Sequence, residues 1–122
     1  MLSLCECVIA RYNFPTMKHK HELPECPAAT AIEIIGSKWK LLIIRNLLTR
    51  PYRFNELKRS LEGISHKVLT SSLRSMEQDG IISRKVYGTR PPMVEYSLTE
   101  LGLTLKPLLS QMEQWGNFYK SR

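Results

Sequence analysis

RFNELKRSLEGISHKVLTSSLRSMEQDGIISRKVYGTRPPMVEYSL, residues 53–98, is the stretch whose reading decides the fold. It reads as helix, tight turn, helix, strand, basic loop, strand. Its centre is the second helix, from Ser65 to Asp79. There Leu69, Leu73 and Met76 recur at steps of four and three, which puts them on one helical face. Lys67, Thr70, Ser71, Arg74 and Gln78 fall on the opposite face, which carries cations and short polar groups and no acid. Most polar helix faces are simply solvated. This one also has what a helix in the DNA major groove must present: cations for phosphates, and donors and acceptors for base edges.

The neighbouring residues favour the second reading. Phe54, Leu57 and Leu61 make a short helix with an apolar stripe, and Gly63 supplies a turn. Ser65 suits the N-cap of the next helix and Gly80 its C-terminal stop. Two short helices joined by a Gly-containing turn are the helix-turn-helix arrangement. Ile81–Tyr87 and Val94–Leu98 then read as strands, the second alternating Val94, Tyr96 and Leu98 against Glu95 and Ser97. Gly88-Thr89-Arg90-Pro91-Pro92 forms the hairpin tip, with Arg90 at its apex. The expected fold is mainly α with a small β-hairpin: a winged helix-turn-helix.

Charge follows the same map. The 122 residues suffice for one compact domain with its own core. Their net charge is +7, with a sequence pI near 9.5, which favours a polyanionic partner. Residues 38–98 hold twelve Lys and Arg against five acids, whereas the flanks hold six of each. The whole excess lies over the winged-helix stretch. No apolar run approaches the ~18 residues of a membrane span. The mildly apolar MLSLCECVIA lacks the basic region of a signal peptide. Three cysteines do not make a disulfide framework, so reduced thiols in a cytoplasmic protein are expected.

In chain order, residues 1–25 read as an N-terminal extension without sustained periodicity, and residues 26–120 as the domain. Met17 offers a second start. Cys5, Cys7, His19 and His21 match no compact zinc spacing, so neither a metal nor a cofactor is expected. Pro27 suits the first position of a helix capped by Cys26; alternatively Thr30 and Glu33 form a capping box and start it later. That helix stops at Gly36. Ser37 caps the next, which runs from Lys38 to about Leu48 with Trp39, Leu42, Ile43 and Leu47 inward, ended by Thr49-Arg50-Pro51. Beyond Leu98, Thr99 caps a final helix that reaches about Lys120. Leu101, Leu105, Leu108, Met112, Trp115 and Tyr119 run along it as a heptad-type seam, about 30 Å long, with Leu109 and Phe118 widening the stripe and Pro107 kinking it. So long a stripe on so small a domain suggests an interface with a second copy.

The ordered set CPAATAIEIIGSKWKLLIIRNLL, RFNELKRSLEGISHKVLTSSLRSMEQDGII, VYGTRPPMVEYSLTELG and the closing QWG resembles the HxlR-type bacterial transcriptional regulators, relatives of the MarR group. The resemblance covers about Cys26 to Phe118. It implies a homodimeric winged-helix protein on double-stranded DNA, with its first and last helices pairing the subunits. The helix at Ser65–Asp79 would be the recognition helix and the hairpin around Arg90 the wing. Some members sense electrophiles or oxidants through a cysteine placed like Cys26.

The residues expected at DNA are Arg53, Ser65, His66, Lys67, Thr70, Ser71, Arg74, Lys85 and Arg90. The dimer seam is Leu101, Leu105, Leu108, Met112, Trp115 and Tyr119, and Cys26 is the redox candidate. A thiol at a helix N-terminus faces unpaired N–H groups and the positive end of the helix dipole, which favours the reactive thiolate; a buried, inert cysteine is the plainer alternative. A winged-helix protein-interaction module would show acids on the recognition face, and there are none. A regulator answering a small ligand without thiol sensing stays open. No paired carboxylates, nucleophile-base set or Gly-rich phosphate loop points to an enzyme.

Overall fold

The computed structural model describes residues 23–122. Cys5, Cys7, Met17, His19 and His21 lie outside the described residues. The elements are α1 (Pro27–Ile35), α2 (Lys38–Leu47), β1 (Tyr52–Arg53), α3 (Phe54–Ser60), α4 (His66–Gln78), β2 (Ile82–Tyr87), β3 (Met93–Leu98), α5 (Glu100–Leu103) and α6 (Lys106–Lys120).

The helix boundaries follow from capping. Cys26 is the N-cap of α1 with Pro27 directly behind it, although the thiol makes no capping hydrogen bond. The later start at Thr30 does not occur. Thr30 is already helical, and its hydroxyl turns back toward the carbonyl of Pro24 at 3.0 Å. Ser37 Oγ accepts from the Lys40 amide at 3.1 Å to start α2. Ser65 Oγ accepts from the Val68 amide at 3.1 Å to start α4. Each satisfies one N–H that a helix start leaves unpaired. At the far end of α4, the amide of Gly80 bonds to the carbonyl of Glu77 and that of Ile81 to the carbonyl of Met76. This paired closure needs a left-handed residue between helix and strand, and Gly80 takes φ +78°.

The sheet has three antiparallel strands in the order β1-β3-β2, not the two expected. Tyr52 pairs with Tyr96 and Arg53 with Glu95; β2 and β3 pair from Ile82↔Leu98 to Tyr87↔Met93. A two-residue strand has no periodicity to read, and Pro51 before it suggests only a helix end.

Ile43 and Ile44 of α2, Leu57 of α3, Leu69, Leu73 and Met76 of α4, and Ile82 of β2 are fully enclosed at the core. Trp39 and Leu42 are half-buried against it.

The final helix departs furthest from expectation. It is two helices, α5 and α6, separated at Thr104 and Leu105. There the amides bond three residues back, Thr104 to Leu101 and Leu105 to Gly102, both at 3.1 Å. Pro107 therefore does not kink a helix interior. It lies in the first turn of α6, where its missing N–H has no helical acceptor to lose. With 15 residues, α6 is about 22 Å long. The seam divides one turn further on, inside α6: Leu101, Leu105 and Leu108 pack half-buried on the core beside buried Leu109, while Met112, Trp115, Phe118 and Tyr119 stand exposed.

Candidate nucleic-acid interface

The fold holds α4 by its buried stripe and leaves the opposite face outward. Lys67, Ser71, Arg74 and Gln78 are exposed on it, with Ser65 and His66 exposed at its start. The His66 ring lies 4.9 Å from that of Phe54 at a 53° tilt, so α3 steadies the first turn of α4. Ser71 Oγ donates to the Val68 carbonyl at 3.1 Å.

Thr70 departs from this face. The residue is half-buried, and its hydroxyl is enclosed without a hydrogen-bond partner. It borders a cleft of about 340 Å³ between α4 and the base of the wing, shared with Phe54, Leu73, Arg74, Glu77, Arg84 and Tyr96. A position on the flank of a polar stripe looks outward in sequence; here it lines a cleft together with Phe54 of α3 and Tyr96 of β3.

The wing is β2, β3 and the loop between them. Arg90 is exposed in that loop. Lys85 holds its ammonium 4.9 Å from the Tyr87 ring, and the Tyr87 hydroxyl donates to Glu95 across the strands at 3.3 Å. Arg84, absent from the sequence expectations, is exposed on β2 beside the cleft.

Arg53 is exposed at the start of α3. Its amide donates to Glu56 Oε1 at 2.9 Å, and the Arg50 guanidinium stands 3.4 Å from Glu56 and 3.8 Å over the Tyr52 ring. The backbone hydrogen bond from Arg53, with the charges of Arg50 and Arg53, holds the Glu56 carboxyl below its ordinary range.

Sequence reasoning also missed Lys40. Its ammonium donates to Ser75 Oγ at 2.8 Å and ties α2 to the flank of α4. The partners are thirty-five positions apart, and no local pattern signals such a bond.

These elements define a winged helix-turn-helix DNA-binding protein with cations on the outward face of α4. Residues 34–122 match the model of the HxlR-like helix-turn-helix family, and the chain belongs to that family of transcriptional regulators. The match begins eight residues beyond Cys26, inside α1. The chain is 46% identical over 97 residues to YdeP of Bacillus subtilis (strain 168), named an uncharacterized HTH-type transcriptional regulator; the match covers 80% of this chain and 76% of YdeP. Among solved structures, the redox regulator HypR in its reduced form matches with a TM-score of 0.75 at 42% identity, covering 78% of this chain and 94% of HypR. HypR has also been solved in its oxidized form. The reduced form of the transcriptional regulator YodB from B. subtilis matches with a TM-score of 0.68 at 35% identity, covering 77% of this chain and 93% of YodB.

Proposed function

We propose that the chain works in the cytoplasm as a homodimer on a pseudo-palindromic operator, and that Cys26 makes its binding responsive to oxidants or electrophiles. The observation that carries the dimer is the exposed row Met112, Trp115, Phe118 and Tyr119 along α6. Apolar faces of that extent seldom remain in water. Two copies of α4 would then sit one DNA turn apart, about 34 Å. Lys67 and Arg74 reach base edges, with Ser71 between them. Arg53, Ser65, His66 and Lys85 hold phosphates, and Arg90 reaches the minor groove or its phosphates from the wing.

Three features support the switch. Cys26 is exposed and free. It stands at the N-cap of α1 with its thiol unused by the cap. HypR is described as a redox regulator in reduced and oxidized forms. A quinone would add the Cys26 thiolate as a thioether. Diamide would take two electrons and two protons from a pair of thiols as they join in a disulfide. Either change at α1 would alter how two subunits seat, and with it the spacing of the two copies of α4.

The test is a gel shift on the chain's own upstream intergenic DNA, before and after diamide or a quinone. It uses the double variant Cys5→Ser, Cys7→Ser, with Cys26→Ser added as control. Release by oxidant in the double variant and none in the triple variant is expected. Oxidant-indifferent binding in the double variant would make Cys26 structural.

A further inference from the structure

We propose that Val68 is a specificity-determining residue that reads the 5-methyl group of a thymine. The inference rests on α4 being the helix that enters the major groove.

The other apolar residues of α4, Leu69, Leu73 and Met76, are buried in the core, whereas Val68 remains 37% exposed. Valine is among the weaker helix formers, so the helix itself does not call for it. Its backbone is held from both sides: the Val68 amide donates to Ser65 Oγ, and the Val68 carbonyl accepts from Ser71 Oγ. A valine in a helix keeps one side-chain rotamer about nine times in ten. The two methyls therefore stand in a set position before DNA arrives, and little conformational freedom is lost on contact.

The neighbouring groups sharpen the assignment. Ser71 gives its one hydroxyl hydrogen to the Val68 carbonyl, so toward a base it offers lone pairs only. The His66 ring is held against Phe54. At about 100° per residue, Val68 lies about 60° around the helix from Ser71, at the edge of the exposed polar face. An isopropyl group set against a polar base edge would strip water from that edge and return no hydrogen bond. The thymine methyl is the apolar mark that the major groove displays, and alkyl side chains contact it.

The experiment selects duplexes from a randomised pool with the full chain. Each thymine of the recovered sequence is then replaced singly by deoxyuridine, which pairs identically and lacks the methyl. Losing one buried methyl contact corresponds to about a fourfold weaker affinity. We expect that loss at one position of each half-site with the wild-type chain. With Val68→Ala, a better helix former, thymine and deoxyuridine should bind alike at that position. An enriched duplex indifferent to deoxyuridine throughout overturns the inference alone, as does a deoxyuridine effect that persists undiminished in Val68→Ala. A pool that yields no enriched duplex overturns the DNA-binding reading and this inference with it.

Discussion

Replacing Trp115 with alanine should dissociate the protein without unfolding it. Trp115 stands 64% exposed on α6, stacked on Tyr119 at 5.4 Å between ring centres. An aromatic side chain offers on the order of 200 Å², so roughly 130 Å² of Trp115 is free to be covered in each copy. At ~25 cal/mol per Å², two copies would bring at most about 6 kcal/mol to an interface. Leaving half that area wet at the rim gives about 3 kcal/mol, or about a hundredfold in the dimer dissociation constant. Sedimentation equilibrium from nanomolar to micromolar protein reads that shift directly. The wild type should approach twice the 14.1 kDa chain mass at micromolar concentration. The variant should populate monomer there, with its helical circular dichroism intact, because the core around Ile43, Leu69 and Met76 does not include Trp115. An unchanged dimer constant would refute the interface. A dilute variant that loses its helices would refute it too, since Trp115 would then serve its own subunit.

Arg74→Ala should weaken operator binding by about 1–3 kcal/mol and relax the preference at one base pair, whereas Arg90→Ala should weaken all sequences alike and lower the salt slope by about one; full operator affinity in Arg74→Ala would exclude this face of α4. Gly102→Ala tests the packing behind α4, because a methyl there would overlap the Ile81 carbonyl. Such overpacking costs about 1–3 kcal/mol, so the melting temperature should fall by several degrees, and an unchanged melting curve would show the approach to be looser than described.

What could be read in advance is what short-range chemistry sets. Ser65, Leu69, Leu73, Met76 and Gly80 carry cap, stripe and stop for α4 within sixteen positions, and all five act as the spacing implies. The wing was legible because apolar and polar residues alternate over the five positions Val94–Leu98, all within β3. What stayed hidden depends on partners distant in sequence. β1 exists because Tyr52 and Arg53 meet Tyr96 and Glu95. Thr70 lies half-buried on a cleft that it shares with Phe54 and Tyr96, residues of other elements. Lys40 finds Ser75 only once α2 and α4 are packed. The break at Thr104 was masked for a different reason: the leucine spacing continues across it, so Leu101, Leu105 and Leu108 still reach one core from two helices.

That break joins the two proposed surfaces. The stop of α4 and the start of α5 meet at the same backbone: Thr99 donates its hydroxyl to the Gly80 carbonyl at 2.5 Å, and its amide bonds to the Ile81 carbonyl at 3.0 Å. Gly102 then packs directly on Ile81. One short turn later α6 begins, rooted by Leu109 and carrying the exposed aromatic row outward. The C-terminal end of α4 and the start of α5, which leads into α6, are therefore fastened to one point. Packed interiors transmit displacement instead of absorbing it. If two copies pair through α6 as proposed, their seating is linked through α5 to the packed contacts at Gly80–Ile81, where α4 ends.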